Sequence, residues 1–334
     1  MQGAETMTHI LIAVIALGVL FDFLNGIHDS SNVVATMISS RAFSPQVALG
    51  VTALAEFSGP FIFGVAVAQT IGNGIVASTL ISTQVILVAL ISAILWDLLT
   101  WYLGFPSSSS HALIGGLLGA VIMAAGWKAI ELPGLEKTLI SLFSSPIIGL
   151  AVGFLFIRII LLLSWKATPR INGFFKRSQI LTGITLALSH GANDAQKTMG
   201  VITLALVTSG YLKVFAVPKW VVLLCASMIA LGTSIGGWRL IRTLGGKIYK
   251  IRPVDGFASQ LSSAVVILGN SLLGGPVSTT QVVSSAIMGV GAGERANKVR
   301  WGVAQEIAMA WLFTIPATAL FAAGLYWVIR LFQH

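Results

Sequence analysis

The stretch NGIHDSSN, residues 25–32, places an acid, a histidine and two asparagines inside an apolar run, and HGANDAQK, residues 190–197, has a similar pattern in the second half. A second pair of polar stretches, FPSSSSH at 105–111 and GPVSTTQ at 275–281, follows in the same order. The members of the first pair are 165 residues apart and those of the second 170, so the motifs keep their order with one small insertion between the two motifs of the second half. Paired polar interruptions of apolar segments are typical of inverted repeats with a transport site near the bilayer midplane.

The composition excludes a soluble domain. Of the 334 residues, 56% are hydrophobic and only 9% charged, with a mean hydropathy of +0.91, whereas soluble chains carry about 25% charged residues. The apolar runs are continuous and long enough for helices of about 20 residues, which disfavours a β-barrel with its alternating strands. The sequence therefore predicts an all-α polytopic membrane protein with two inverted-topology repeats and broken or re-entrant helices.

Basic residues gather in four connections between the apolar segments, and they account for the formal charge of +9. They are the connection that contains Arg41 after the first apolar segment, the loop 165–179, the stretch 239–252 and the stretch 295–300. In a soluble protein this charge would favour nucleic acid as a partner. In a membrane protein it indicates basic loops on the cytoplasmic side, and we expect no nucleic-acid partner.

Placing all four connections in the cytoplasm fixes a topology. It divides the chain into an N-terminal transmembrane repeat at 1–164, a basic cytoplasmic loop at 165–179 and a C-terminal transmembrane repeat at 180–334. Both termini then lie outside a cell membrane that the chain crosses several times. Segments 80–126 and 257–292 fit either as full helix pairs or as re-entrant hairpins, because both alternatives return the chain to the same side.

Acids inside the membrane cost about 2.5 to 3.5 kcal/mol each on the insertion scale, so each one needs a reason. Asp29 and Asp194 lie at matched interruptions beside asparagines, which favours a functional role. Carboxylate and carboxamide oxygens suit Na⁺, and a carboxylate can instead carry a proton. For Asp22, Asp97 and Glu306, which have no counterpart in the other half, ion pairing or helix capping is as good an explanation as function.

Other ionisable residues near the interruptions permit fewer conclusions. Lys197 is a cation in an otherwise apolar stretch, and it can either neutralise Asp194 or attract an anion. His28, His111 and His190 match no zinc-binding spacing, so we expect no metal site beyond one for Na⁺.

The hydroxyl-rich stretches suit an anion. Pro106 and Pro276 are suited to the first position of a helix, where a missing N–H costs little. Residues 107–110 and 278–280 would then form first turns, whose free N–H groups and positive dipole end bind an oxyanion without a buried Lys or Arg. A single copy would be explained as a simple helix cap. Two copies in matched positions favour an anion site.

Together these motifs resemble those of the inorganic phosphate transporter family. Stretches 26–32 and 191–200 resemble its paired G-x-N-D signatures, and 106–111 and 276–281 resemble its paired P-x-S-[ST]-[ST]-[HQ] loops. The resemblance covers nearly the whole chain. Three further stretches also fit: 55–59, 230–239 and 299–311.

The resemblance implies a secondary active transporter that imports inorganic phosphate by alternating access, coupled to Na⁺ or H⁺ and without any other cofactor. It places the anion at the interface of the two repeats. The residues implied to contact the anion are Ser108, Ser109, Ser110, Ser278, Thr279, Thr280, Asn32 and Asn193. Those implied to couple the cation are Asp29, Asp194, Asn25 and Glu56, with Lys197 as a charge-compensating residue.

Two departures from the family pattern concern the cation. His28 stands where the first signature often has Asn, and Lys197 stands where the second can have Asn, so a pair of carboxamide ligands is absent. Some relatives of similar size carry sulfate, which leaves a sulfate permease as an alternative. A membrane-embedded enzyme acting on phosphorylated lipid is the alternative from another class, although we expect no enzyme. The expected partners are phosphate or sulfate and the lipid bilayer, and a homodimer is left open.

Overall fold

The computed structural model describes residues 2–103, 107–238, 241 and 248–332, and these residues are almost entirely helical. Pro106 and the basic residues Arg239, Arg242 and Lys247 lie outside the described residues. The helices are α1 (Gln2–Ser39), α2 (Pro45–Phe63), α3 (Ala66–Gln69), α4 (Thr83–Leu103), α5 (Ser109–Ala125), α6 (Leu132–Leu163), α7 (Ile171–Thr208), α8 (Lys219–Ile235), α9 (Pro253–Leu272), α10 (Thr279–Glu294) and α11 (Trp301–Leu331).

Several of these helices are suited to cross a membrane. Within the described part of the chain, α1, α2, α4, α6 and α11 are both long and apolar enough to do so. In contrast, α5 and α10 have 17 and 16 residues, and at about 1.5 Å per residue they fall short of a hydrocarbon core of about 30 Å. The prediction of an all-α polytopic membrane protein is confirmed.

The two signature stretches do not interrupt their helices. Both α1 and α7 are continuous over 38 residues and pass through 25–32 and 190–197 without a break. This differs from the unwound helices expected there, because the polar side chains find partners on neighbouring helices and the backbone need not supply ligands. The interruptions lie instead before α5 and before α10. Helix α7 begins at Ile171, within the predicted loop 165–179.

The two largest apolar cores occupy opposite ends of the molecule. The outer core combines the first half of α1 with α4, α5, α8 and the second half of α7, for example Val14, Leu90 and Ile202. The inner core combines the second half of α1 with α2, α9, α10 and the first half of α7, for example Val34 and Ile287. Helices α1 and α7 therefore run in opposite directions, as inverted repeats require. The names outer and inner follow the predicted topology.

The helix contacts of the two halves are reciprocal. Helix α1 packs against α8 as α7 packs against α2, and α5 packs against α11 as α10 packs against α6. Glycines permit the first pair of crossings. A Cβ atom on Gly26 would lie 2.2 Å from the carbonyl oxygen of Ile229, and one on Gly191 would lie 2.1 Å from that of Glu56. The two glycines are 165 residues apart, as are the signatures that contain them.

Between the two cores lies a layer of buried polar side chains from α1, α7, α5 and α10. It includes Asp29 and Asp194, which are 1% and 0% exposed. Their burial requires partners, since an unpaired charge in an apolar interior is very unfavourable. The candidate site is built from those partners.

Candidate functional site

The hydroxyl stretches lie at helix N-termini. Ser108 caps α5 by accepting a hydrogen bond from the His111 backbone N–H at 3.2 Å. Ser278 caps α10 by accepting one from the Gln281 N–H at 3.3 Å. Pro276 precedes this cap by two residues, so its predicted place as the first helical residue is wrong: the Ser278 side chain fixes where α10 begins.

The two N-termini meet inside the protein. The Ser110 hydroxyl donates to the Val277 carbonyl oxygen at 3.1 Å, and His111 Nε2 lies 3.2 Å from Gln281 Nε2. Every residue of 107–111 and 277–281 is at most 2% exposed. The positive ends of two short helices, with their hydroxyl groups, therefore converge in the polar layer rather than at either end of the molecule.

Asp29 of α1 faces the N-terminus of α10. One carboxylate oxygen accepts from the Thr280 hydroxyl at 3.1 Å and the other from the Thr279 hydroxyl at 3.4 Å. His28 Nδ1 lies 3.1 Å from the same carboxylate. One turn further along α1, Asn32 Nδ2 donates to Thr280 Oγ1 at 3.0 Å. A predicted coupling acid thus hydrogen-bonds to two predicted anion ligands.

Asp194 of α7 shares a hydroxyl with Asp29. Its Oδ2 atom accepts from the Thr279 hydroxyl at 3.0 Å and from Asn25 Nδ2 at 3.5 Å. Its Oδ1 atom lies 2.5 Å from the Lys197 ammonium. Thr279 is therefore placed between the two acids.

Lys197 is 2% exposed, and three acceptors surround its ammonium group. These are Asp194 Oδ1 at 2.5 Å, Ser110 Oγ at 2.5 Å and the Val277 carbonyl oxygen at 2.8 Å. The sequence left two interpretations of this residue, charge neutralisation and anion attraction. In the structure Lys197 pairs with Asp194 and also contacts both hydroxyl stretches.

His190 connects the two acids to Glu56 of α2. Its Nδ1 lies 2.8 Å from Glu56 Oε1, its Nε2 lies 3.2 Å from Asp194 Oδ2, and the distance from Nε2 to Asp29 Oδ2 is 4.0 Å. Thr233 of α8 donates to the other Glu56 oxygen at 2.5 Å. His190 thus lies within ion-pair distance of both Glu56 and Asp194.

The same histidine is part of a potential cation site. One ligand atom from each of Asp29, His190 and Asp194 lies within 4.8 Å of the others, and all three residues are buried. The spacing of His190 matches no zinc signature, so the sequence does not predict it as a site residue. Its alignment with Asn25 in the other signature was the available signal, since it placed His190 beside both acids.

Not every residue predicted to belong to the site joins it. Asn193 turns toward α9, where its Nδ2 donates to Ser271 Oγ at 2.8 Å. Asp22 accepts from the Thr198 hydroxyl at 2.5 Å, and Glu306 is exposed on α11. Asp97 and His28 border a small cavity between α1 and α4.

The comparisons with known proteins agree with this geometry. Residues 25–322 match the model of the phosphate transporter family. The chain belongs to this family. It is 44% identical to a probable low-affinity inorganic phosphate transporter of Rhizobium meliloti, over 96% of this chain and 97% of that one. It is also 44% identical to one of Bacillus subtilis with the same coverage.

A solved structure described as the sodium-dependent phosphate transporter is 27% identical, with a TM-score of 0.87 over 97% of this chain and 99% of that one. A putative phosphate permease of Thermococcus kodakarensis is also 27% identical, over 96% of this chain and 98% of that one. The chain is thus a transporter of this family and not an enzyme, and phosphate is the substrate that the family implies.

Proposed function

We propose that this protein imports inorganic phosphate across the cell membrane together with a coupling cation, by alternating access between two inverted repeats. The observation that carries this proposal is the position of Thr279 and Thr280. Their hydroxyls lie at the N-terminus of α10, where an oxyanion would bind, yet they donate to Asp29 and Asp194. The acids and the anion thus compete for the same donors.

This competition is the proposed basis of coupling. While Asp29 is ionised and without a bound cation, it holds the Thr279 and Thr280 hydroxyls and repels an incoming anion. A cation at Asp29 neutralises the charge, and the two hydroxyls can then rotate toward phosphate. Ser108, Ser109, Ser110 and Ser278 add donors from the two helix N-termini. Binding of the cation and binding of the anion therefore strengthen each other, and the effect is reciprocal.

We place the mobile cation at Asp29 rather than at Asp194. Lys197 already supplies Asp194 with a permanent positive charge at 2.5 Å, whereas Asp29 has hydroxyl and imidazole neighbours. The proposed coupling ion is H⁺, because His28 and His190 bring ring nitrogens to this acid where Na⁺ would require oxygen ligands. The sodium dependence named for the related solved structure makes Na⁺ the alternative.

Phosphate rather than sulfate is the proposed substrate. Phosphate at neutral pH carries a P–O–H group that can donate to a carboxylate that stays ionised, such as Asp194, whereas sulfate has no proton to donate. A buried carboxylate oxygen that faces a sulfate oxygen would have no hydrogen-bond donor, and the two negative charges would repel each other. Mismatches of this kind discriminate strongly between two substrates.

Uptake into proteoliposomes tests the proposal. Radiolabelled phosphate should accumulate under an inwardly directed proton gradient without Na⁺, and sulfate should not compete at equal concentration. Accumulation only under a Na⁺ gradient would replace H⁺ by Na⁺ and keep the rest. No accumulation under either gradient, in protein that is folded and inserted, would refute cation-coupled import.

The proposed orientation has both termini outside and loop 165–179 inside. Cysteines placed at Glu131 and Lys176, in a chain without Cys225, should react with an impermeant thiol reagent from opposite sides of the membrane. Reaction from the same side would refute the inverted topology.

A further inference from the structure

A row of neutral polar side chains continues from the central site toward the inner ends of α1, α7 and α9. We call it the polar seam, and its members are Thr36, Ser40, Gln179, Thr182, Ser259, Gln260, Ser263 and Ser284. None of them is more than 9% exposed. The seam adjoins the site directly, because Thr36 lies one helical turn beyond Asn32 and Ser284 one turn beyond Thr280.

Hydrogen bonds between helices close the seam. The Thr182 hydroxyl donates to Gln260 Oε1 at 2.6 Å, and Gln260 Nε2 donates to Thr36 Oγ1 at 2.9 Å. Nearer the inner end, the Ser40 hydroxyl donates to Gln179 Oε1 at 3.0 Å. These bonds link three helices without any charged group, and neutral bonds of this kind between membrane helices are individually weak. They can therefore break and re-form as helices move.

Some polar atoms at the seam have no partner. The hydroxyl oxygens of Ser263 and Ser284 are buried and make no hydrogen bond, and the same holds for Asn32 Oδ1. Buried polar atoms normally have a partner, so unmatched atoms need an explanation. Side chains that only joined helices would be paired with one another. Unmatched hydroxyls beside the anion site indicate a ligand or water that binds there in another conformation.

Among the described residues, the positions of the opposite half that are equivalent to the seam are apolar. The separations of the two motif pairs, 165 and 170 residues, assign an outer counterpart to each seam residue. The counterparts of Thr36, Thr182, Gln260, Ser263 and Ser284 are Val201, Leu17, Leu90, Ala93 and Ile114. All of these belong to or pack against the outer apolar core.

The contrast is confined to the seam and does not extend to serines in general. Ser262, next to Ser263, has a serine counterpart at Ser92. Each of these two hydroxyls donates to a carbonyl of its own helix, Ser262 to Ala258 at 2.7 Å and Ser92 to Val88 at 2.8 Å. A serine whose hydroxyl bonds within its own helix is thus present in both halves. The seam residues, in contrast, are polar in the inner half and have apolar equivalents in the outer half.

We propose that the polar seam is the passage through which the anion travels from the central site to the cytoplasm, with the Thr36–Gln260–Thr182 bonds as its gate. This rests on the proposed function. Hydroxyl and carboxamide groups can donate to each oxygen of a passing phosphate, and the absence of a fixed positive charge among them lets the anion leave again. When the gate bonds break, the unmatched hydroxyls of Ser263 and Ser284 are the first donors beyond Thr280.

Thiol accessibility tests the passage. In a chain with Cys225→Ala, Ser263→Cys and Ser284→Cys should react with a membrane-impermeant methanethiosulfonate reagent applied from the cytoplasmic side. Saturating phosphate should slow that reaction by about fivefold or more, because the anion occupies the site beside them. Ser262→Cys is the matched control and should remain unreactive. Equal unreactivity of all three cysteines, or reaction only from the outside, would overturn the proposal.

Transport measurements test the gate. Gln260→Leu should retain equilibrium phosphate binding within about twofold of the wild type and lower the rate of phosphate exchange by about tenfold or more, whereas Ser262→Ala should change neither. If Gln260→Leu does not fold, the pair Ser263→Ala and Ser284→Ala replaces it with the same expectation. Normal exchange in the seam variant used would refute the gate. Absence of phosphate binding in the wild type would instead refute the proposed function.

Discussion

The two signature stretches occupy equivalent positions but differ in charge. In the first, Asn32 donates to Thr280 at 3.0 Å. In the second, Lys197 stands at the equivalent place and contacts Ser110, the counterpart of Thr280, at 2.5 Å. The geometry is therefore nearly symmetric, but one half of the site carries a built-in cation and the other a neutral carboxamide.

This difference separates two tasks that a fully symmetric site would share. Asp194 has Lys197 as a counter-ion at 2.5 Å, so its charge is balanced without an ion from solution. Asp29 has only hydroxyl and imidazole neighbours and must be neutralised from solution before an anion can approach. Asp194 thus stabilises the fold through its ion pair, and Asp29 binds the coupling ion. Five substitutions test this division, and they are taken in order of expected effect.

Asp29→Asn should have the largest effect, a loss of concentrative phosphate uptake of about a hundredfold or more. The carboxamide cannot bind and release a cation, so the anion no longer depends on one. Uptake into proteoliposomes under the driving gradient measures it, with surface expression and thermal stability as controls. Uptake against the gradient by a folded variant would contradict the role of Asp29.

Asp194→Asn should chiefly affect folding. It leaves the Lys197 ammonium buried without its carboxylate, and breaking a buried pair in this way costs about 3 to 5 kcal/mol. Thermal unfolding in detergent should show a marked loss of stability. Adding Lys197→Met should recover much of it, and a double variant no more stable than Asp194→Asn would disprove the pairing role.

Lys197→Asn should change stoichiometry more than rate. The substitution restores the carboxamide found at Asn32 and removes the built-in charge, so Asp194 would need a second solution cation. The number of cations per phosphate, measured from the gradient that exactly balances uptake, should rise by about one. An unchanged ratio would show that Lys197 does not replace a coupling ion.

Ser109→Ala and Thr279→Ala should each weaken apparent phosphate affinity by about tenfold or more. A hydrogen bond to a charged group contributes about 1.5 to 3 kcal/mol, and about 1.4 kcal/mol corresponds to tenfold. Ser262→Ala serves as the control because its hydroxyl bonds only within α9. If both variants bind phosphate with wild-type affinity, the hydroxyl stretches act only as helix caps.

Much of this arrangement could be predicted from the sequence because it is concentrated in short segments. The matched positions of Asp29 and Asp194 and the hydroxyls after Pro276 are visible as interruptions of apolar runs. The continuity of α1 and α7 was not predictable, because it depends on side-chain partners such as Thr279 that are distant in sequence.

Two further features are distributed over the fold and leave little local signal. His190 joins Glu56 to Asp194 only because α2 and α7 cross at a glycine. The polar seam consists of single hydroxyl and carboxamide residues on separate helices, such as Thr36 and Gln260. Each of them alone is ordinary in a membrane helix, and only the packed structure places them in a row.

Equilibrium binding of phosphate as a function of pH tests most directly whether the anion and Asp29 compete for the Thr279 and Thr280 hydroxyls. Affinity of the purified wild type should tighten as the pH falls, by up to about tenfold per pH unit, the limit for uptake of one proton. Asp29→Asn should bind phosphate with only the pH dependence that phosphate's own protonation causes. An identical pH dependence in wild type and Asp29→Asn, with Na⁺ equally without differential effect, would contradict coupling at Asp29.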